Sequence, residues 1–469
     1  MRSTFRSICQ LSIITSVIFL SSCRKEDVSS EYPDITSHAK AVASRSNQGS
    51  SAESYDAAFA RSFFDLTCKI IKSTPGFFPP QASRAYGYIC LALYEATAPG
   101  IGKGYTLAGQ LNGLAANALP RADKNEKYNW GIAANAALSE MNQRMFEINI
   151  NPANLKAIVE LENKNKALLS NQVSADIVSR SELFGKAVAK ALYEYSKKDG
   201  GHHSYLDPFQ LPYTLPQGPD KWVPTGAVVS PISPKWGYNR PMLNENIEKT
   251  VPPPCYPFST DPDSELYKDA YQVYRQVKEN TPEQILIAKF WADDPFNTCT
   301  PTGHTINILT QLLEENNSSL AKAAVAYGKM GIAELDAFIA CWKCKYVTNL
   351  LRPVTYIRRH IDPSFNTAIG TPPFPAFISG HSAEIGAGSV IFTEMFAKNG
   401  KYRFTDRSQI QYGFSPRTFS SFDEMAQECA DSRFYGGIHF LQDNIHGLTQ
   451  GKAIGRNVNN LLVWPPVQL

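Results

Sequence analysis

The sequence of 469 residues contains no block of like charges, and only 19% of its residues are charged. Its formal net charge is +3. Two of the positive charges, Arg2 and Arg6, lie in a segment that we expect to be removed, so the mature chain is close to neutral. A chain with so little excess charge excludes nucleic acid as an expected partner. Hydrophobic residues make up 43% of the sequence, which is enough for a large buried core.

The sequence also lacks an HExxH motif and a second CxxC pair, so a zinc site is not expected. Two of the nine cysteines, Cys9 and Cys23, belong to the leader and its processing site. The remaining number is odd, which predicts at least one free thiol in an oxidising compartment. Cys341 and Cys344 have the spacing of a redox pair, but no strand precedes them and the surrounding pattern is helical, so we assign them to the core.

No apolar run beyond the leader is long enough to span a membrane. Residues 1–22 predict a signal peptide, with a basic start and an apolar stretch over residues 8–20. The sequence Leu20-Ser21-Ser22-Cys23 resembles a bacterial lipobox, which implies that Cys23 carries a lipid; the alternative is an ordinary secretory signal. Arg24, rather than Asp, follows Cys23 and favours the outer membrane, on either its periplasmic or its surface face. Membrane contact is then expected only through the lipid anchor.

The rest of the chain is predicted to be all-α, in three parts behind a tether. Residues 23–55 are the lipidated N-terminus and flexible tether, and residues 56–199 have a helical apolar pattern almost throughout. Residues 200–263 are rich in Pro, Gly and aromatic residues, which predicts a long loop packed over the domain. Residues 264–469 predict a catalytic helical bundle. Within it we expect helices at about 305–330 and from 332 to Pro353.

Three groups of residues in this last part have the chemistry of an anion site. Lys345 and Arg352 are seven residues apart, so a continuous helix would place both cations on one face. Ser379, Gly380 and His381 offer a hydroxyl, an unhindered amide and an imidazole at a predicted helix start.

The third group provides a further cation and a candidate nucleophile or ligand. Arg433 presents a fork of donors for an oxyanion. Two glycines then precede a predicted helix on which His439 and Asp443, four residues apart, share a face. The carboxylate would hold one ring nitrogen of His439 and leave the other free to attack or to ligate.

In this order and spacing, the three groups resemble the signature of the vanadium-dependent haloperoxidases and the type 2 phosphatidic acid phosphatases. The resemblance covers residues 345–447, with Ile378 where the signature usually has Pro. A weaker resemblance to bacterial vanadium haloperoxidases extends toward the N-terminus. It includes the stretches Phe290-Trp291-Ala292-Asp293 and Pro301-Thr302-Gly303-His304. The resemblance implies a large helical bundle with a vanadate or phosphate site in a C-terminal four-helix core.

The resemblance also implies a role for each residue. The vanadate or phosphate oxygens would be bound by Lys345, Arg352, Ser379, Gly380 and Arg433. His439 would be the vanadium ligand, or the nucleophile toward a phosphate ester. His381 would act as acid–base group, Asp443 would orient His439, and Trp342 and Phe374 would line a halide pocket.

We interpret the chain as a vanadium-dependent haloperoxidase that uses hydrogen peroxide to oxidise a halide, iodide or bromide being favoured, to hypohalous acid. The lipid phosphatases of the superfamily usually carry the signature on membrane-spanning helices, which the sequence does not predict. One alternative is a soluble acid phosphatase with a phospho-histidine intermediate. Another is a helical, non-catalytic, glycan-binding lipoprotein, which has no need of three cations around two histidines. The sequence is compatible with a homo-oligomer.

Overall fold

The computed structural model describes residues 51–102, 104–397 and 399–467. The predicted signal peptide, Cys23 and nearly all of the predicted tether therefore lie outside the described residues. The N-terminal part contains five long helices: α1 (Ala58–Ser73), α2 (Pro79–Thr97), α3 (Trp130–Met145), α4 (Pro152–Leu169) and α5 (Ala175–Ser196).

Within the described ranges, the C-terminal part contains nine helices and one small hairpin. The helices are α6 (Glu245–Glu248), α7 (Glu265–Glu279), α8 (Pro282–Phe290), α9 (Thr300–Glu315), α10 (Leu320–Thr348), α11 (Pro353–His360), α12 (Gly380–Phe396), α13 (Phe422–Tyr435) and α14 (Leu441–Leu461). The strands β1 (Phe404–Asp406) and β2 (Arg417–Phe419) pair antiparallel. The prediction of an all-α fold is confirmed.

The helix starts follow local sequence signals. Thr281 and Gln284 form a capping box at α8, with Pro282 in the first turn. Ser379 is the N-cap of α12, and its hydroxyl accepts from the Ser382 amide. Such caps satisfy backbone amides that have no partner within their helix.

The predicted helices over 305–330 and 332–353 are wrong in their boundaries. The structure has one helix that ends at Glu315 and a second that runs from Leu320 to Thr348. Asn317 adopts a left-handed backbone conformation with φ 44°, and Ser319 caps the second helix. Local polar residues thus end the first helix, although the apolar pattern continues beyond them.

Two further corrections concern the site residues. Arg352 is not on the helix of Lys345, because α10 ends at Thr348 and Asn349 turns the chain with φ 53°. Arg352 is instead the N-cap residue of α11, which Pro353 begins rather than ends. His439 likewise precedes α14, so it does not share a helix face with Asp443 in the way that the spacing predicted.

Helices α10, α12, α13 and α14 pack against one another as a four-helix core. The most extensive contact joins α12 to α14, where Gly447, Gly451 and Gly455 recur every four residues. A Cβ atom at Gly451 would lie 2.0 Å from the Ala383 carbonyl oxygen. These glycines therefore allow the backbones of the two helices to approach closely, and that approach brings the starts of both helices together.

The segment between α5 and α7 packs against the bundle. Trp222 and Trp236 are buried, whereas Tyr238 is 78% exposed. The Trp342 indole and the Tyr346 hydroxyl both donate to the Ile232 carbonyl, at 3.2 and 2.6 Å. The segment also lines the cavity of the site, through Phe209, Val228 and Ile232. Among the described residues, no helix has both the length and the apolar character needed to cross a bilayer.

Candidate active site

The three groups of signature residues meet at the N-terminal ends of α12 and α14. The Ser379 amide donates to the Asp443 carbonyl at 3.1 Å, which joins the second group to the third. Arg352 Nη1 lies 3.1 Å from His439 Nε2, which joins the first group to the third. The residues that the sequence predicted to act together are therefore brought into one place, although by loops and helix ends rather than by shared helix faces.

His439 is held by Asp443 on one side of its ring. Asp443 Oδ2 lies 2.9 Å from His439 Nδ1 and also accepts from the Phe440 amide at 3.1 Å. Since this oxygen accepts from the backbone, we assign the proton of the imidazole to Nδ1. Burial lowers the pKa of His439 well below its ordinary value, and the charge of Arg352 adds to the effect. The neutral ring therefore presents Nε2 as a ligand or nucleophile.

Arg352 is fully buried and tied to backbone carbonyls. Its Nε donates to the Phe374 carbonyl and its Nη1 to the Ile438 carbonyl, each at 2.8 Å. Its Nη2 is buried without a hydrogen-bond partner. Burial lowers the pKa of Arg352 to about 9, so the charge is costly in this position. An anion beside Nη2 would remove this cost.

Lys345 is the second fully buried cation. Its Nζ donates to the carbonyls of Pro375 and Ala376, at 2.9 and 3.0 Å, and lies 5.0 Å from the centre of the Phe374 ring. Burial lowers its pKa to about 7. Two backbone carbonyls and an aromatic face orient the ammonium group but do not neutralise it.

Arg433 is the third buried cation of the site, and His381 lies near it as a neutral imidazole. Arg433 Nε donates to the Ser432 hydroxyl at 2.9 Å, and Nη2 donates to the Ala288 carbonyl at 3.0 Å. Burial lowers the pKa of His381 well below its ordinary value, and Arg433 contributes to the shift. His381 Nε2 is buried and has no hydrogen-bond partner. This neutral nitrogen is available to accept a proton.

Ser379 and Gly380 supply the neutral donors. The Ser379 hydroxyl lies 2.9 Å from the hydroxyl of Ser382 and is fully buried. Gly380 is the first residue of α12, so its amide has no partner within the helix. A helix start of this kind favours an anion.

The charges of the site fit a bound oxyanion. Lys345, Arg352 and Arg433 form no ion pair with any carboxylate among the described residues. Buried cations without counter-ions are expensive, and here they surround two neutral histidines. Arg352 Nη2 and His381 Nε2 are buried without hydrogen-bond partners, and His381 lines a cavity together with Arg433 and His439. The donor set is therefore suited to vanadate or to phosphate: the three cations, Ser379 and Gly380 would hold its oxygens, and His439 Nε2 would be the ligand of vanadium.

A cavity of about 280 Å³ opens onto part of this site. Its polar lining includes Gly380, His381, Arg433 and His439, together with Asp293, Asp294 and Thr371. Most of the remaining lining is apolar: Phe78, Pro79, Phe209, Val228, Ile232, Pro295, Pro301, Phe338, Trp342, Ile369, Pro372, Pro373, Phe374 and Ile438. The rings of Trp342 and Phe374, predicted to line a halide pocket, lie 5.1 Å apart in this wall.

A buried ionic triad next to the site was not assigned from the sequence. His304 Nδ1 lies 2.9 Å from Asp293, and His304 Nε2 lies 2.9 Å from Asp406. Trp291 stacks on the His304 ring at 4.5 Å. Asp293 and His304 belong to the two stretches that weakly resemble bacterial vanadium haloperoxidases, but the sequence analysis assigned neither residue a role. Asp406 lies more than a hundred residues from His304, so only the tertiary structure joins them.

His446 and His360 do not line the cavity. His446 is half-buried and packs edge-on against Phe377. His360 is the last residue of α11. Cys68 and Cys299 form a disulfide, whereas Cys90, Cys255, Cys341, Cys344 and Cys429 are free. The prediction of at least one free thiol is confirmed.

Comparisons with known proteins identify relatives of this chain. Residues 360–463 match the family model of the VCPO second helical-bundle domain. The structure of the first bacterial vanadium-dependent iodoperoxidase is similar over 88% of this chain and 98% of its own, with 33% identity and a TM-score of 0.78.

Two structures of bacterial vanadium-dependent chloroperoxidase share the fold at 15% identity. The holo form matches 84% of this chain and 95% of its own with a TM-score of 0.62. The apo form matches 80% and 92% with a TM-score of 0.60. A comparison with curated protein sequences gave no significant match.

Proposed function

Because this chain belongs to the vanadium-dependent haloperoxidase family, we propose that it uses hydrogen peroxide to oxidise iodide or bromide to hypohalous acid. The observation that carries the proposal is the set of three buried cations without a carboxylate counter-ion around His381 and His439. A site with this excess of positive charge is preorganised for an oxyanion that carries several negative charges.

Bound vanadate would supply a Lewis acid that activates peroxide without a change in the oxidation state of the metal. The protein holds its own groups ready for this chemistry. Asp443 fixes the Nδ1 proton of His439 and so directs Nε2 toward the cavity. Lys345, Arg352 and Arg433 stabilise negative charge, and the neutral His381 accepts a proton from hydrogen peroxide.

The preference for iodide or bromide rests on the wall of the cavity. Trp342 and Phe374 offer aromatic faces rather than hydrogen-bond donors, and the surrounding residues are largely apolar. Large, weakly hydrated halides lose less hydration free energy than chloride when they enter such a wall. The 33% identical relative is an iodoperoxidase by its description, which favours the same choice.

The alternative function, an acid phosphatase, would use the same residues. His439 Nε2, oriented by Asp443, would attack a phosphate ester, and the three cations would stabilise the pentacoordinate transition state. The position of His439 is compatible with both reactions, so only an assay distinguishes them.

The test measures both activities in purified protein lacking the leader. We expect vanadate-dependent oxidation of iodide and bromide by hydrogen peroxide, with no hydrolysis of p-nitrophenyl phosphate in the absence of vanadate. His439→Ala should abolish vanadate binding and halide oxidation, whereas His360→Ala, at the end of α11, should retain both. Absence of halide oxidation with iodide, bromide and chloride would reject the haloperoxidase, and phosphate ester hydrolysis lost in His439→Ala would establish the phosphatase instead.

A further inference from the structure

A second group of ligating side chains lies on the surface, away from the catalytic cavity. Glu147 follows α3, and His202 and His203 begin the long segment after α5. One ligand atom from each residue, a carboxylate oxygen or a ring nitrogen, lies within 4.8 Å of the other two. His203 Nε2 is 2.9 Å from Glu147 Oε1. None of the three residues lines the catalytic cavity.

The backbone directs both histidine rings to the same place. Adjacent side chains of an extended chain point in opposite directions. His203 instead adopts a left-handed conformation with φ 54°, and its ring stacks on that of His202 with centroids 3.7 Å apart. This conformation is uncommon for a residue with a side chain, and here it gathers two imidazoles beside one carboxylate.

The surroundings of the cluster are compatible with a cation. The basic side chains near the cluster are already paired with acids: Arg84 with Asp199 at 2.7 Å, Arg144 with Glu140 at 2.7 Å, and Lys197 with Glu194 at 2.6 Å. Glu147 also accepts from the Tyr193 hydroxyl. The His203 and Glu147 side chains are 29% and 37% exposed, so a metal ion and its waters can reach them.

We propose that Glu147, His202 and His203 form a binding site for one divalent transition-metal ion of the Zn²⁺ or Cu²⁺ class. Imidazole nitrogen and carboxylate oxygen are the ligands that such ions prefer over Mg²⁺ or Ca²⁺. A tetrahedral zinc ion separates its nitrogen and oxygen ligands by about 3.3 Å, close to the present distance between His203 and Glu147. The ion would replace the shared proton, draw in His202 and complete its coordination with water.

Metal binding would fix the position of the start of the segment after α5, which lines the catalytic cavity. Tyr205, two residues after His203, stacks on Phe77 at 4.7 Å, and its hydroxyl accepts from the Ile148 amide. Phe209 lines the cavity and packs against Phe78 at 5.9 Å. The ion would therefore link the end of α3 to the base of this segment and stabilise it.

The test uses a chain without a histidine tag and the metal ions alone. Isothermal titration with Zn²⁺ should give one equivalent bound per chain, and Zn²⁺ should raise the melting temperature. Co²⁺ in place of zinc should give the visible absorption of a nitrogen- and oxygen-ligated ion. His203→Ala, His202→Ala and Glu147→Gln should each weaken Zn²⁺ binding at least tenfold, whereas His360→Ala should not.

Circular dichroism of each variant before titration separates loss of the ligand from loss of the fold. If the wild-type chain binds neither Zn²⁺ nor Cu²⁺, the proposal is wrong whatever the variants do. It is equally wrong if the chain binds one equivalent and the three variants bind as tightly as the wild type. Vanadate affinity, measured in the same preparations, shows whether the catalytic site is intact.

Discussion

At the scale of single residues, the site depends on side chains that are held by partners distant in the sequence. Arg352 reaches His439 across 87 positions, and its remaining bonds go to the carbonyls of Phe374 and Ile438. The backbone thus positions the cations, while the ring of His439 takes its orientation from a side chain, Asp443. A substitution that removes the side-chain contact between Asp443 and His439 should lower ligand affinity with little effect on the fold.

Asp443→Asn tests this expectation. The amide oxygen can still accept from the Phe440 amide, but the carboxyl group that orients His439 is lost. We expect vanadate affinity to fall by about tenfold to a hundredfold, measured by titration of the apo-protein. Asp263→Asn, on the exposed side of the loop before α7, is the matched control and should bind vanadate as the wild type does. Equal affinity in both variants would contradict the role of Asp443.

The triad of His304 predicts a loss of stability in alkali. Burial by itself lowers the pKa of His304, but Asp293 and Asp406 outweigh it and raise the pKa from 6.5 to about 10. A raised pKa stabilises the folded state fully below pH 6.5, and this contribution is lost as the pH rises through 10. We expect urea unfolding to show a fall on the order of a few kcal/mol across this range.

Asp406→Asn provides the comparison for His304. With one carboxylate removed, the pKa of His304 should fall and the loss of stability should begin at a lower pH. Asp263→Asn should leave the pH profile unchanged. A wild-type profile that stays flat between pH 7 and 10 would show that His304 is not charged in the folded protein.

At the scale of elements, the position of the site depends on how closely α12 approaches α14. Ser379 and His381 begin one helix, and His439 and Asp443 precede or begin the other. The glycines of α14 set the distance between them, because carbonyl groups of α12 occupy the space that side chains would need. A change in this interface should therefore affect both stability and ligand binding.

Gly451→Ala makes that change. The added Cβ would lie 2.0 Å from the Ala383 carbonyl oxygen, and neither helix backbone can yield locally. We expect a loss of about 1–3 kcal/mol in the free energy of unfolding, together with weaker vanadate binding. Gly226→Ala is the control, because nothing lies within 4 Å of an added Cβ there. If Gly451→Ala and Gly226→Ala are equally stable, close helix packing does not position the site.

At the scale of the whole molecule, helix packing and a disulfide bond hold the N-terminal helices against the C-terminal part. Helix α2 packs along α10, and the Cys68–Cys299 disulfide joins α1 to the start of α9 across 231 residues. A link that closes so long a loop removes much entropy from the unfolded chain. It should therefore stabilise the fold as a whole without touching the site.

Replacing both Cys68 and Cys299 by Ser should lower the free energy of unfolding by about 2–5 kcal/mol. A reducing agent should destabilise the wild type but not this double variant, as measured by urea unfolding. Cys255→Ser, which removes a free thiol, should behave as the wild type in both conditions. Wild-type stability that does not respond to reduction would show that the link contributes little.

The sequence by itself determined the helical class, the family and the set of residues that meet in the site, because these depend on apolar periodicity and on the order of side-chain types along the chain. The ends of α9 and α10 were predicted wrongly, because the apolar pattern continues across the polar break at Asn317.

The tertiary structure alone decided how the residues meet. Arg352 and His439 lie outside the helices to which their spacing assigned them, so their contact arises from packing between distant segments. The triad of His304 with Asp293 and Asp406, the Cys68–Cys299 link and the surface cluster of Glu147 with His202 and His203 have the same origin. Each joins groups far apart in sequence, and only the burial free energy of the assembled core brings such groups within bonding distance.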